Sequence, residues 1–322
     1  MNEDKTPMTD LSVIVPSYRR PDDLRRCLEA LCGQQLTPAQ VVVVARDVDE
    51  STQLVAAAFA GRLPLQIVKV SEPGQIHALN AGLMAAKGEV VAITDDDAAP
   101  RPDWTARIAA HFEDAPHIGG VGGRDWVHTP DGAVMGGQKR MVGRVQWFGR
   151  IVGNHHVGAG PVREVDILKG ANMSFRHAAI EGLRFDVCLR GHGAQVHNDM
   201  CFSLAVKRRG WKLIYDPAVA VDHYPAARAD IDQRGSAFHP EATENSAFNL
   251  MWATQTQLTG GRRWMSRQWQ IWVGNAAARG YIYFFRALLR ADPLAHAKYR
   301  AAKRGRELAK SLLRKSESGV AK

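Results

Sequence analysis

Residues 90–104, VVAITDDDAAPRPDW, join an apolar segment to three consecutive carboxylates. Residues 90–94 have the β-branched and apolar side chains of a buried strand, and this strand leads directly into Asp95, Asp96 and Asp97. Charges of one sign at this spacing repel one another, and each carboxylate is more stable in water than beside its neighbours. A cluster of this kind at a strand end therefore calls for a partner that compensates its charge.

Strand and helix patterns alternate throughout the residues that precede this cluster. Short β-branched runs predict the strands, and apolar residues at helical spacing or Ala-rich segments predict the helices. The predicted elements are, in order, strand 11–15, helix 21–31, strand 41–45, helix 51–60, strand 65–70, helix 75–86 and strand 90–94. Because such units connect by right-handed crossovers, the pattern predicts an α/β fold with a mainly parallel sheet.

In sheets of this type, ligands bind beyond the carboxyl ends of the strands. The aspartate triplet lies at this edge, together with the polar segments PSYRR (16–20) and RDVDES (46–51). One interpretation of the triplet is a solvated turn with an Asp helix cap. The other is a site for Mg²⁺ or Mn²⁺, hard cations that take carboxylate oxygens. Its position after a buried strand favours the cation site.

Composition limits the classes of protein that this chain can represent. The 322 residues are 45% hydrophobic, enough for one large or two small domains with a sizeable core. The four cysteines form no CxxC pair, which indicates reduced thiols in the cytoplasm. The polar, acidic N-terminus argues against a secretory signal peptide, and no run reaches the roughly 18–20 apolar residues of a membrane span.

The second half of the chain has a weaker pattern. Glycine clusters after residue 115 predict loops and irregular strands, followed by a helix near His197 and strands at 211–215 and 218–223. From about residue 244 the chain is helical and aromatic, and residues 298–315 carry eight basic side chains against one acidic one. Such a run is either a solvated helical tail or a surface for anionic partners.

Four segments, in this order, carry a resemblance to a known family. They are PSYRR, then 74–104 with the triplet, KGANMSFRH (169–177), and HNDMCFSLAVKRRGWKLIYDP (197–217). Together they resemble the family 2 glycosyltransferases of GT-A fold, over about residues 11–225. The resemblance implies a Rossmann-like sheet flanked by helices, and here a helical C-terminal extension follows. The expected division is a catalytic domain at 11–225, an aromatic helical extension at 226–297 and a basic tail at 298–322.

The resemblance also implies an inverting, metal-dependent transfer from a nucleotide-diphospho-sugar to a hydroxyl of a glycan or lipid-linked acceptor. Either Asp47 or Asp49 would recognise the nucleobase, Asp96 would bind the ribose, and Asp97 would bind Mn²⁺ or Mg²⁺. The remaining residues implied at the nucleotide-sugar site are Pro16, Ser17, Tyr18, Arg20, Asn80 and Asp95.

The later segments correspond to the family's catalytic region. Asp199 matches the general base, with Asp186 or Asp166 as the next candidates. The family commonly has Glu-Asp at this point, whereas this chain has Asn198-Asp199, so the acceptor contact of Asn198 is in question. Gly170 and Asn172 would line the donor sugar and acceptor, or form an ordinary Gly turn and Asn cap. His223 matches a histidine that contacts the metal and comes late in the family's sequence. A lone His at a strand end is, however, more often an ordinary surface residue.

The aromatic C-terminal segment has two interpretations. Tyr281, Phe284, Phe285 and Leu288 fall on one helical stripe. Three tryptophans precede it, interleaved with arginines: Trp264, Trp269 and Trp272 with Arg262, Arg263 and Arg267. The helix either packs on the catalytic domain or lies on an anionic membrane. The expected location is therefore cytoplasmic, with a peripheral position on the inner face of the membrane as the alternative.

Other functions fit the sequence less well. A metal-dependent nucleotidyltransferase would have a Gly-rich, basic loop after its first strand, which PSYRR is not. A nucleic-acid partner is not expected, because no helix-turn-helix, zinc or RNP-type signal is present. A non-catalytic nucleotide-sugar or glycan-binding protein would not need Asp199. A processive synthase would have Gln-x-x-Arg-Trp, but Gly260 stands where Arg263-Trp264 would require Gln.

Overall fold

The computed structural model describes residues 10–113, 115–226, 238–275 and 277–318. Residues 227–237 of the expected helical extension and 319–322 of the expected basic tail lie outside the described residues. The division at residues 225 and 297 stays a prediction.

The alternation in the first hundred residues is confirmed. The elements are β1 Leu11–Ser17, α1 Pro21–Cys32, β2 Gln40–Arg46, α2 Glu50–Ala57, β3 Leu65–Val70, α3 Gln75–Ala85 and β4 Val90–Ile93. The stripe Leu24, Cys27, Leu28 and Leu31 is buried along α1, as its helical spacing predicts. Residues 41–44 of β2 are buried, in agreement with their β-branched run.

The later elements differ more from the predicted pattern. They are β5 Ala98–Pro100, α4 Trp104–Glu113, β6 Ile118–Val127, β7 Arg144–Val145, β8 Ile151–Val152, β9 Arg163–Val165, β10 Met173–Arg176, α5 His177–Ile180, α6 Asn198–Arg208, β11 Lys212–His223, α7 Pro240–Gln257, α8 Gly260–Trp272, α9 Tyr281–Leu289 and α10 Ala295–Glu317. The predicted helix near His197 is confirmed as α6. The two strands predicted at 211–215 and 218–223 are one strand, β11, with a register irregularity between Asp216 and Val221.

The glycine cluster at 119–123 lies in the half predicted to consist of loops and irregular strands, and it belongs to a strand. It forms half of β6, which lies in the interior of the sheet with neighbouring groups packed closely against the glycines. A Cβ on Gly123 would lie 1.6 Å from the carbonyl oxygen of Val219, and one on Gly119 would lie 2.5 Å from Trp211. Only glycine allows this close approach of β11.

The main sheet has the order β3-β2-β1-β4-β10-β6-β11-β5, and β9 pairs with β11. Strands β3, β2, β1 and β4 are parallel, and β6 is parallel to β11. Strand β10 is antiparallel to both β4 and β6, between which it lies. The predicted α/β fold is thus confirmed, and antiparallel pairing enters only after β4. The insertion of β10 brings residues 169–176 beside the triplet strand.

Helices cover both faces of this sheet. One hydrophobic cluster contains side chains of α1, α2 and α4, and the other contains side chains of α3, α6 and α7. Phe248, Met251 and Trp252 of α7 belong to the same buried cluster as Phe202 of α6. Among the described residues, no helix combines the length and apolar composition needed to cross a bilayer.

Candidate active site

The carboxyl end of β1 lies beside the middle residue of the triplet. Asp96 is buried, accepts a hydrogen bond from Ser17 Oγ at 2.8 Å, and pairs with Arg20 Nη1 at 3.2 Å. Burial raises the pKa of Asp96 to about 7 despite the opposing Arg20, and the carboxylates of Asp97 and Asp95 add to the increase. Asp96, Ser17 and Arg20 are therefore in direct contact, and all three are expected at the nucleotide-sugar site.

Asp97 faces the end of β11. Its Oδ2 atom accepts a hydrogen bond from the Ala226 amide at 3.0 Å, and Arg20 Nη1 lies 3.8 Å away. Its Oδ1 atom lies 3.3 Å from His223 Nε2. Oδ1 is buried and receives no hydrogen bond from any residue that the structure describes. Burial alone would raise the pKa of Asp97, but the adjacent His223 holds it below the usual range.

A second carboxylate, Asp125 of β6, contacts the other side of the same imidazole. His223 Nδ1 lies 3.4 Å from Asp125 Oδ2, and Lys169 Nζ contacts that same oxygen. Burial would lower the pKa of His223, but Asp125 and Asp97 outweigh it and raise the pKa to about 9. Sequence reasoning missed Asp125. A single carboxylate within the buried strand IGGVGGRDWV was the available signal.

The fit of a divalent cation can be judged from these contacts. The unsatisfied Asp97 Oδ1 and the neighbouring His223 Nε2 are donor atoms that Mn²⁺ and Mg²⁺ accept. Asp125 occupies the position of the carboxylate that commonly orients a metal-binding His. No group of three or more His, Cys, Asp or Glu side chains within the described ranges converges as a metal site. Two protein ligands are nevertheless enough where substrate phosphates complete the coordination.

Asp199 begins α6 on the opposite side of the segment that contains Lys169. Its Oδ2 accepts a hydrogen bond from the Gly170 amide at 3.1 Å, and its Oδ1 accepts one from the Met200 amide at 2.8 Å. These two bonds orient a carboxylate that remains partly exposed. Lys169 and Gly170 are consecutive: the Lys169 side chain contacts Asp125, and the Gly170 amide contacts Asp199.

Asn198 occupies the position at which the resemblance implies a glutamate. Its Nδ2 donates to the carbonyl oxygens of Ala194 at 2.8 Å and Gln195 at 3.2 Å, and to Gln75 Oε1 at 3.3 Å. Gln75 in turn donates from Nε2 to Asp95 Oδ1 at 3.3 Å. A glutamate at position 198 could not donate these bonds. The side chain therefore connects the base helix to the triplet through Gln75.

The two candidates for nucleobase recognition lie in different environments. Asp49 is buried, and its carboxylate accepts bonds from the Arg19 and Thr52 amides and from the Ser51 and Thr52 hydroxyls, which makes it the N-cap of α2. The Asp47 side chain is about half exposed. Tyr18 is also exposed, with the guanidinium of Arg46 5.8 Å from its ring centre. Pro16 lies within β1, so among the nucleotide-site candidates of these two segments Asp47 and Tyr18 are the exposed ones.

Two further candidates, Asn80 and Asn172, are engaged with the protein itself. Asn80 exchanges two hydrogen bonds with the backbone of Phe185, at 3.0 and 2.8 Å. Asn172 is buried, accepts a bond from Trp104 Nε1 at 2.9 Å, and donates to the Val219 carbonyl at 2.8 Å. The structure therefore places both amides in structural contacts, beside the site rather than on its surface.

The alternative base candidates are likewise occupied by structural partners. Asp186 Oδ2 accepts a bond from Trp252 Nε1 at 2.7 Å. Asp166 is buried and has three cations within 3.5 Å, of which Lys207 at 3.2 Å is the nearest. Neither carboxylate is brought to the Asp97–His223 pair, so Asp199 remains the accessible candidate.

Comparison with known proteins defines the class. The sequence model for "Glycosyl transferase family 2" matches residues 12–188, more than half of the chain. The fold is similar to those of a mannosyltransferase from Pyrobaculum calidifontis (TM-score 0.57, 19% identity, 95% of this chain and 86% of that one) and S. aureus TarS 1–349 (TM-score 0.53, 17% identity, 95% and 92%). The architecture is the GT-A fold of glycosyltransferases. The chain belongs to glycosyl transferase family 2.

Characterised relatives match over shorter segments. Chondroitin synthase of Escherichia coli is 30% identical over 159 residues, 48% of this chain and 23% of the relative. The amylovoran biosynthesis glycosyltransferase AmsE of Erwinia amylovora is 35% identical over 33% of this chain and 42% of its own length. The glucosyl-dolichyl phosphate glucuronosyltransferase of Haloferax volcanii is 25% identical over 66% of this chain and 68% of its own. The matched segments thus span less than half of the length of chondroitin synthase and of AmsE.

Proposed function

We propose that this protein transfers a sugar from a nucleotide-diphospho-sugar to an acceptor hydroxyl, with inversion at the anomeric carbon and with Mn²⁺ or Mg²⁺ as cofactor. The observation that carries the proposal is the contact of consecutive residues, Lys169 and Gly170, with the Asp125–His223–Asp97 group and with Asp199. These contacts would keep the proposed cation site and the proposed base near each other. The similar mannosyltransferase was solved with GDP-Man and Mn²⁺, and TarS with UDP-GlcNAc.

The donor nucleotide would lie along the carboxyl ends of β1 and β2. Asp47 and Tyr18 offer an exposed carboxylate for base edges and an exposed ring for stacking. Asp96, held by Ser17 and Arg20, would accept hydrogen bonds from the ribose. Asp49 is better assigned to the α2 cap, because its four hydrogen bonds leave it no capacity for a ligand.

The cofactor would be held by Asp97 and His223, with Asp125 fixing the orientation of the imidazole. When bound there, a divalent cation neutralises charge on the diphosphate as it leaves. Lys169 compensates the buried charge of Asp125, so that the pair forms a stable support behind His223.

The transfer needs one catalytic carboxylate. Asp199 would take the proton of the acceptor hydroxyl while that oxygen forms a bond to the anomeric carbon from the face opposite the diphosphate. The bond between the anomeric carbon and the diphosphate oxygen breaks, and its electron pair leaves with the nucleotide. A single displacement of this kind inverts the configuration, as in the inverting glycosidases. The Gly170 and Met200 amides keep the Asp199 carboxylate oriented for that proton transfer.

The acceptor class is proposed to be a glycan or a lipid-linked glycan. The names of two relatives, an amylovoran biosynthesis glycosyltransferase and the succinoglycan biosynthesis protein ExoO, refer to polysaccharide assembly. The Haloferax relative is named for a dolichyl phosphate substrate. We accordingly propose a role in polysaccharide or lipid-linked glycan biosynthesis.

Contact with an anionic membrane is the second part of the proposal, and a distinct surface supports it. Residues 245–291 contain six arginines and no acidic residue. The predicted stripe divides in the structure: Tyr281 and Phe284 pack on Tyr299, while Phe285 and Leu288 are exposed, as is the adjacent Leu289 (88%). We define the aromatic face as the exposed side chains of Trp147, Trp264, Trp272, Ile282, Phe285 and Leu289. Tryptophan and arginine at one surface are typical of the membrane interface.

The decisive experiment is a transfer assay with the purified protein. A panel of nucleotide-sugars is supplied with Mn²⁺ or Mg²⁺ and with glycan and lipid-linked acceptors, and the released nucleotide diphosphate and the anomeric configuration of the product are measured. Turnover of one donor with an inverted product is the expected result. A retained configuration would refute the single-displacement mechanism, and release of pyrophosphate in place of a nucleotide diphosphate would indicate nucleotidyl transfer.

A further inference from the structure

A row of basic residues on α10 makes no direct ion pair with any residue that the structure describes. Arg306, Lys310 and Arg314 are spaced four residues apart, so they lie on one stripe of the helix. Together with Arg267 of α8 they form a group that we call the basic cluster. In the part of the chain that the structure describes, none of the four side chains makes a hydrogen bond or an ion pair with another residue. Like charges at this spacing destabilise a helix unless something offsets them.

Arg306 is the unusual member of the cluster. It is only 5% exposed, and its Nη1 atom is buried without a hydrogen-bond acceptor. The adjacent Gly305 explains the burial: a Cβ there would lie 2.1 Å from the Glu244 carbonyl oxygen, so α10 crosses α7 at van der Waals contact. Burial lowers the pKa of Arg306. An unpaired buried guanidinium is costly, and an anionic partner would offset that cost.

The other three cations lie within electrostatic range of one another. Burial lowers the pKa of Lys310, and the positive charges of Arg306, Arg267 and Arg314 lower it further. Glu307 is the acidic residue that opposes them, but its carboxylate is exposed and lies 3.7 Å from Lys303. Four cations against one shared carboxylate leave the basic cluster with a net positive charge.

We propose that the basic cluster binds a phosphate or diphosphate group, with Arg306 as the central ligand. A phosphate group carries several oxygens and up to two charges, which matches a set of guanidinium forks and an ammonium better than a single carboxylate does. Trp272, an exposed member of the aromatic face, packs on Tyr281 beside the cluster, so a lipid phosphate could reach it as readily as a soluble one. The site lies outside residues 12–188, the segment shared with the family.

Isothermal titration of the full-length protein with inorganic pyrophosphate in EDTA tests this site without contribution from a divalent cation. Arg306→Gln and Lys310→Gln should each weaken binding roughly tenfold or more, because each loses a charge-assisted hydrogen bond. Arg300→Gln is the matched control: it removes the same charge from an exposed position of α10, six residues before Arg306, and should leave the affinity unchanged. Lys310 is only half-buried, so its variant tests the site even if Arg306→Gln does not fold.

The source of the phosphate is distinguished by a second probe, vesicles of phosphatidylcholine with or without phosphatidic acid. Binding of soluble pyrophosphate that depends on Arg306 or Lys310 supports the site with a soluble ligand. The same dependence seen only with phosphatidic acid vesicles supports it with a lipid phosphate. The proposal is overturned if both folded variants bind both probes as tightly as wild type, or if Arg300→Gln weakens binding to the same extent.

Discussion

The Nε2 atom of His223 lies 3.3 Å from Oδ1 of Asp97, a buried oxygen to which no described residue donates a hydrogen bond. The two residues close opposite ends of the site, one after β4 and the other at the end of β11. Since carboxylate oxygen and imidazole nitrogen are both ligands that a divalent cation accepts, this pair would hold the proposed cofactor.

Chelation of divalent cations should abolish donor turnover, and Mn²⁺ or Mg²⁺ should restore it. Asp97→Asn should weaken the binding of a nucleotide diphosphate in the presence of the metal, because a neutral amide is a poorer ligand for a hard cation. Titration calorimetry with and without Mn²⁺ measures both effects. Full activity in EDTA, or an affinity that Asp97→Asn leaves unchanged, would contradict the assignment of the metal site.

Replacement of Asp199 by Asn should lower kcat by about 10²–10⁴-fold, since the amide cannot accept the acceptor's proton. Donor affinity and metal dependence should remain near wild type, because Asp199 contacts Gly170 and Met200 and not the triplet. Asp103→Asn, an exposed position on the turn before α4, is the control for loss of one carboxylate. Loss of donor binding together with turnover would assign Asp199 to the donor or metal site instead.

Asn198→Asp should destabilise the fold by about 1–3 kcal/mol, because a carboxylate would then face three hydrogen-bond acceptors. Asn275→Asp is a matched control, since Asn275 uses its Oδ1 atom to accept bonds from the Ala277 and Ala278 amides, which an Asp can also do. Chemical denaturation at neutral pH measures both variants. Equal stability of Asn198→Asp and wild type would show that the donor role of Asn198 is unimportant.

Asp47→Ala and Asp49→Ala should have separable effects. Loss of the α2 N-cap in Asp49→Ala should cost about 0.5–2 kcal/mol of stability. Asp47→Ala should leave stability nearly unchanged, because the side chain is about half exposed, but it should raise the KM for the donor. Thermal unfolding and donor titration of both variants give the comparison. A donor KM that is unchanged in Asp47→Ala would place nucleobase recognition elsewhere.

The double variant Trp264→Ser/Phe285→Ser should reduce co-sedimentation with anionic vesicles and leave binding to neutral vesicles low. Truncation after residue 240 is unsuitable, because it would remove Phe248 and Met251 from the core. Leu54→Ser removes a comparably exposed apolar side chain from α2 and serves as the control. Unchanged sedimentation of the double variant would indicate that the aromatic face does not meet a membrane.

Local patterns in the sequence were sufficient for the α/β class, for the first half of the fold and for the edge at which the candidate site lies. Strand and helix periodicity predicted β1 to β4 and α1 to α3, because amphipathic spacing and β-branched runs act over a few residues. The position of the triplet after a buried strand placed it at the ligand-binding edge. The glycines of β6 were not predicted to lie in an interior strand, because their role depends on the close approach of β11, which is distant in sequence.

Only the tertiary structure decided which side chains remain available for chemistry. Asp47 and Asp49 are equivalent candidates in the sequence, but one caps α2 and the other is exposed. Asp125 became part of the site because β6 pairs with β11 and brings it to His223. The burial of Arg306 likewise depends on the crossing of α10 and α7 at Gly305. Hydrogen-bond partners and burial are set by packing between residues far apart in the chain, and local sequence does not contain that information.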